Sequence, residues 1–158
     1  MHIRILAATL ALTCAVGCGG AEKKEETILP PPGGAEAMPT PKPLFERLGG
    51  MPGIEGVVDE LLKNVMADAR INARFKNADQ AGLRQKLIDQ VCQVTGGPCT
   101  YTGKDMASAH QGMNIKGEEW DALVEDLVKA LDSKGVPQKE KDDLLGLLGP
   151  LKKEIVGK

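Results

Sequence analysis

Histidine is almost absent from this sequence, with two residues in 158, His2 and His110. His2 lies in the expected signal segment, so the mature chain is expected to keep His110 alone, which excludes a His–His metal pair, and no H-E-x-x-H or Ser–His–Asp motif surrounds it. Aromatic residues are as scarce at 3%, and Phe45, Phe75, Tyr101 and Trp120 are the whole set. A core built from Leu, Val, Ile, Ala and Met fits helices better than a β-sandwich. A basic surplus is missing too. The formal charge of −2 leaves no stripe to neutralise phosphates, which argues against nucleic acid as a partner. None of the four cysteines stands in C-x-x-C spacing, so neither a thioredoxin-like motif nor a zinc knuckle is indicated. What the chain does have is 42% hydrophobic and 27% charged residues, enough for one domain with a real core.

The N-terminus reads as an address. Met1-His2-Ile3-Arg4 is a short basic start, and Ile5 to Val16 is an apolar run of signal-peptide length, too short to cross a bilayer. It closes on Ala15-Val16-Gly17-Cys18, which resembles the bacterial lipobox. The resemblance implies that residues 1–17 are a lipoprotein signal peptide, cleaved before Cys18, which is then acylated. The protein would be exported and held on the membrane by that lipid, facing the periplasm or in the outer membrane. Gly19, rather than Asp, favours the outer membrane. Ala15 stands where Leu is usual, so soluble export and an uncleaved anchor are the alternatives. Residues 18–42 read as a flexible linker, dominated by Pro, Gly and charge, with only Ile28-Leu29 able to bury anything. Once Cys14 leaves with the signal and Cys18 takes lipid, Cys92 and Cys99 remain. An even pair in an oxidising compartment is a disulfide candidate, and a turn at Gly96-Gly97-Pro98 would bring the two together. Two buried free thiols and a redox switch at the helix end are the alternatives.

From residue 43 to 158 the texture is that of a folded domain. Leu44 to Leu48 is a short amphipathic turn stopped by Gly49-Gly50. Met51 to Ala67 carries Ile54, Val57, Val58, Leu61, Leu62 and Val65 at helical spacing. A short turn is expected at Ile71 to Phe75. Leu83, Leu87, Val91 and Val94 mark the next helix, closed by Gly96-Gly97-Pro98. Tyr101 to Asn114 looks irregular, with one turn around Met106 to His110. Glu118 to Leu131 carries Trp120, Leu123, Val124, Leu127 and Leu131 on one face, and a last helix runs from Pro137 to Ile155, bent or broken by Pro150 near Gly149. The fold class is all-α with four principal helices.

Composition alone makes His110 more often a surface or core residue than a ligand. The order of motifs changes that. Leu48-Gly49-Gly50, Val57-Val58-Asp59, Val65-Met66-Ala67-Asp68, Phe75, Gly96-Gly97-Pro98, Tyr101-Thr102-Gly103-Lys104-Asp105-Met106 and Ala109-His110 together resemble the group I truncated haemoglobins, over about residues 43 to 156. The resemblance implies a two-over-two helical sandwich holding haem b, with His110 as proximal iron ligand. No C-x-x-C-H is present, so the haem is expected to be non-covalent. Phe75 matches the phenylalanine that stacks on the porphyrin. Met106, Ile115 and Leu123 are expected on the proximal wall, with Leu148 closing the far side. Lys86 is the first choice for a haem propionate, with Tyr101 and Lys104 behind it and a merely solvated lysine the alternative.

On the distal side the sequence departs from the family. The family's tyrosine aligns with Leu62, and the two usual contact positions of the distal helix align with Leu83 and Leu87. Three leucines leave no obvious donor above the iron; Gln90 shares their face but lies further along the axis. Since oxygen gains partial negative charge on binding, a donorless pocket predicts relative discrimination against it. Three function classes follow: a haem protein reversibly binding O2, CO or NO at the cell envelope; a haem enzyme detoxifying nitric oxide or peroxide, needing an external reductase; and a haem-free helical envelope interaction protein.

Overall fold

The computed structural model describes residues 41–158. The expected signal peptide 1–17, Cys18 and nearly all of the expected linker 18–42 therefore lie outside the described residues.

Among the described residues nine helical pieces follow one another: α1 (Leu44–Arg47), α2 (Gly50–Ala67), α3 (Asn72–Phe75), α4 (Gln80–Val94), α5 (Met106–His110), α6 (Gly117–Ser133), α7 (Gln138–Leu148), a 3-10 turn (Gly149–Leu151) and α8 (Lys152–Ile155). Among the described residues the only β feature is an isolated parallel bridge between Ile115 and Val156. No described helix is long and apolar enough to cross a membrane.

The corner between α1 and α2 is made by Gly49 and Gly50, at φ of +90° and +65°, a region that side chains with a Cβ enter only at a cost. The chain then enters α2, whose Ile54, Val57, Val58, Leu61 and Val65 are all buried. Two neighbours share that burial, because α2 packs against both α6 and α4. Val57, Leu61 and Val65 meet Ala122, Leu127, Ala130 and Leu131 of α6, and Leu144 brings α7 into the same cluster. Ile54 and Val58 meet Ile88 and Cys92 of α4. A third cluster joins Met106, Trp120 and Ile155, from α5, α6 and α8. At the surface, Arg47 ties α1 to α7 by bonds to Glu140 (2.9 Å) and Asp143 (2.6 Å).

Two interruptions shape the rest. Pro150 has no N–H to continue the last helix, and the chain passes through the 3-10 turn into α8, as its position predicts. After α4 the chain reverses at Gly96-Gly97-Pro98, and Cys92 and Cys99 are joined there as a disulfide with α-carbons 5.7 Å apart. Gly97 is required in this reversal, since a Cβ would sit 2.5 Å from the Phe45 ring and 2.7 Å from Cys92 Sγ.

Candidate functional site

Five residues are too few for a helix to hold itself by propensity, so α5 depends on its cap. Asp105 Oδ1 accepts the Ser108 N–H at 2.8 Å, and hydrogen bonds from Ser108 hold the Asp105 carboxyl below its ordinary range. The capped turn sets His110 over Met106, whose carbonyl oxygen lies 2.8 Å from His110 Nδ1. A carbonyl can only accept, so Nδ1 carries the proton and Nε2 keeps a free lone pair. That is the tautomer a metal-ligating imidazole needs.

His110 borders a cavity of about 490 Å³, inside the range of about 300–1,000 Å³ typical of small-molecule sites. Leu61, Leu62 and Val65 of α2 and Leu83, Leu87 and Val91 of α4 supply part of its wall. Phe75, Met106, Ile115 and Leu123 supply more, and Leu145, Leu148 and Leu151 close the α7–α8 end. Lys86 and Tyr101 also border it, so eleven of the residues expected around a cofactor, His110 and Leu148 included, line one space. Lys104 does not line it; it offers its backbone oxygen to the Tyr101 hydroxyl at 2.9 Å instead.

Most polar side chains in the wall are already engaged. Tyr101 spends its hydroxyl on Lys104, and burial pushes its phenol above the ordinary range. Gln90 Nε2 donates to Met106 Sδ at 3.3 Å. Arg74 donates from Nε and Nη2 to the two carboxylate oxygens of Glu119, at 2.8 and 3.0 Å, and from Nη1 to the Met113 carbonyl at 2.8 Å. That bidentate pairing and the Lys116 N–H hold the Glu119 carboxyl low and raise the Arg74 guanidinium. Lys86 is exposed at the rim.

Sequence reasoning missed many of the lining residues, among them Trp120, Ile155 and Arg74. Trp120 and Ile155 were on apolar stripes, but periodicity does not separate a core position from a cavity wall. Arg74 carried no signal, being one charged residue in a four-residue helix.

An apolar slot of this size, bordered by a lone imidazole with Nε2 free, suits a flat hydrophobic cofactor with a metal at its centre. Four principal helices enclosing such a slot define a small globin-class domain. The family model of bacterial-like globins matches residues 43–156. The group 1 truncated haemoglobin of Tetrahymena pyriformis is 32% identical over 121 residues, covering 77% of this chain and 100% of that one. The crystal structure of that protein in its Fe(III) form superposes with a TM-score of 0.72, covering 74% of this chain and all of the other. The 2/2 haemoglobin of Synechococcus sp., solved in the cyanomet state with covalently attached haem, gives a TM-score of 0.69 at 28% identity, covering 73% and 98%. The chain belongs to the bacterial-like globin family, as a truncated globin of group I, and its fold is the two-over-two helical sandwich.

Proposed function

We propose that this protein binds haem b non-covalently through His110 and uses it to bind diatomic gases reversibly at the bacterial envelope. The observation that carries the reading is the imidazole itself: Nδ1 is held on the Met106 carbonyl at 2.8 Å, and Nε2 is left free beside the 490 Å³ apolar cavity. Haem, when bound, supplies an iron centre that coordinates O2, CO or NO. The chain supplies the rest. The Met106 carbonyl orients the imidazole and fixes its tautomer. Phe75 and the leucines of α2 and α4 exclude water, and Lys86 at the rim is placed to meet a propionate.

The character of the pocket follows from what lines it. Leu62, Leu83 and Leu87 carry no donor, Gln90 and Tyr101 donate elsewhere, and Arg74 is tied to Glu119 and Met113. Oxygen, which gains negative charge on binding, loses more from such a pocket than CO or NO. Nitric oxide or peroxide turnover is less favoured for the same reason, since the three leucines offer no acid–base group.

Address and anchor belong to the same reading. The lipobox-like Ala15-Val16-Gly17-Cys18 supports a lipid on Cys18. A Cys92–Cys99 disulfide suits an oxidising compartment outside the cytoplasm. An external reductase would restore the ferrous iron.

The test is spectroscopic. Full-length protein expressed with haem supply is expected to show a Soret band that is lost or strongly diminished in His110→Gly and restored by added imidazole. A folded, colourless wild-type protein would end the haem reading. Mass analysis of the mature N-terminus tests the anchor separately, and an unmodified Cys18 would refute it.

A further inference from the structure

We propose that Cys92, Cys99 and Met51, once the disulfide is opened, form a three-sulfur binding site for a soft monovalent metal ion, Cu(I). The three sulfur atoms already meet. The Cys92–Cys99 bridge joins the end of α4 to the loop after Pro98, with α-carbons 5.7 Å apart. Met51, in the first turn of α2, places Sδ 3.5 Å from Cys99 Sγ. A bridged Cys99 has no S–H to donate, so this is a contact between two sulfurs and not a hydrogen bond. Segments 48 residues apart thus bring a cysteine pair and a thioether to one point. None of the three residues borders the cavity beside His110, so the site does not depend on the haem reading.

The donor set selects the ion. Thiolate and thioether sulfurs favour Cu(I), whereas zinc takes four ligands and hard cations take oxygen. Among the described residues no three His, Cys, Asp or Glu side chains come together to hold a metal. Zinc therefore lacks a fourth ligand here, and three sulfurs suit an ion content with three. At a metal–thiolate distance of roughly 2.3 Å, three donors in a plane stand roughly 4 Å apart. The contact between Met51 and Cys99 is close to that spacing, and the α-carbon separation of 5.7 Å leaves room for two thiolates to part. Ile54, Val58 and Ile88 are buried in the same cluster, with Phe45 packed against it. Such walls keep out water and the oxygen ligands that a harder ion prefers.

Cys92 is fully buried, while Cys99 and Met51 are half-buried, so reductant and metal approach from the Cys99 side. A dithiol reductant attacks Cys99 Sγ, Cys92 leaves as thiolate, and the reductant's second thiol releases Cys99. The protein disulfide gains two electrons, and the reductant becomes a disulfide. Cu(I) then binds both cysteines as thiolates, two protons leave, and the copper keeps its oxidation state. The ion takes over the cross-link that the disulfide made.

The test uses full-length protein, opened anaerobically with a dithiol, desalted and titrated with Cu(I) against a coloured Cu(I) chelator of known affinity. Cys92→Ala/Cys99→Ser is run beside it, so that sulfurs elsewhere in the chain cancel. Wild type is expected to hold one more equivalent of Cu(I) than that variant, and protein left oxidised none more. Met51→Leu is expected to hold the ion roughly tenfold or more weakly, since one of three ligands is lost. Should that variant misfold, X-ray absorption at the copper edge counts the sulfurs in wild type, and three are expected. No extra equivalent, equal uptake by the oxidised protein, or two sulfurs at the copper overturns the site. So does an unchanged affinity in Met51→Leu. None of these readouts involves a Soret band, so the haem reading stands or falls separately.

Discussion

Installing a donor above the iron is the sharpest perturbation of the proposed pocket, and Leu62→Tyr is the place for it. Leu62 is half-buried on α2 and borders the cavity with Leu83 and Leu87, where a phenol has open space to enter. In the wild type, Gln90 gives one amide hydrogen to Met106 Sδ, Tyr101 gives its hydroxyl hydrogen to the Lys104 carbonyl, and the Arg74 guanidinium is held on Glu119 and Met113. On the proposed reading, Leu62, Leu83 and Leu87 offer bound oxygen no donor. A hydrogen bond to a charged partner is worth about 1.5–3 kcal/mol. At about 1.4 kcal/mol per decade, the tyrosine should slow oxygen release roughly 10- to 150-fold. Release of CO, which builds up little charge, should change far less. Stopped-flow displacement of oxygen by excess CO measures the first rate, and displacement of CO by NO the second. Lys153→Met is the control, since Lys153 is an exposed cation that does not border the cavity; it is expected to leave oxygen release unchanged within a few-fold. The reasoning fails if wild-type protein releases oxygen slowly and Leu62→Tyr slows it no further, for then a donor is already in place.

Three further outcomes follow from the fold. Replacing the disulfide with Cys92→Ala/Cys99→Ser opens a loop of sequence separation 7, a loss of about 2.5 kcal/mol on the chain-entropy model, read as a lower urea midpoint; an unchanged midpoint would show that the bridge adds nothing. Arg74 holds the Glu119 carboxyl below 4.5, its unperturbed value. Their pairing is therefore fully present above that value and is lost as pH falls through the depressed one. In Arg74→Met the acid-side fall in urea midpoint should be shallower than in wild type, and parallel curves would refute the linkage. Haem should raise the melting temperature in a concentration-dependent way, with about 2.7 kcal/mol gained at a hundredfold excess over Kd; a ligand-independent melt would argue that the cavity is not the binding site.

The long helices were legible because their apolar stripes are long. Of the stripes their periodicity marks, α2 buries Ile54, Val57, Val58, Leu61 and Val65, and α6 buries Trp120, Leu127 and Leu131. Leu62, Leu123 and Val124 are half-buried, and Pro150 ends α7 as its chemistry requires. α4 shows where that signal stops. Its stripe of Leu83, Leu87 and Val91 faces the cavity, whereas the fully buried positions are Ile88 and Cys92, turned to α2. A helix between a neighbour and a cofactor slot has two apolar faces, and periodicity cannot say which is which. Asp126, buried at 1% on α6, was illegible for a related reason. Its charge reads as solvent-facing, but the carboxylate is turned inward, with Oδ1 accepting from Lys129 Nζ at 2.9 Å. The site residues were read from motif order, and spacing alone would have left His110 unremarkable.

What places His110 is a series of tertiary ties, with helix propensity adding little. On the approach, the disulfide pins Cys99 to the end of α4, and Gln93 Oε1 takes the Tyr101 N–H at 2.5 Å. Tyr101 then closes on Lys104, and Asp105 caps α5. On the far side, Arg74 holds the Met113 carbonyl, and the Ile115 carbonyl accepts the Gly157 N–H at 2.9 Å. The imidazole thus sits between two irregular segments, each fixed at several points to a different helix. The ties on the approach run to α4, and those on the far side run to α3 and to the segment after α8. Gas affinity in this protein should accordingly respond to changes at Gln93, Asp105 or Arg74, even where the residue changed carries no group to the iron.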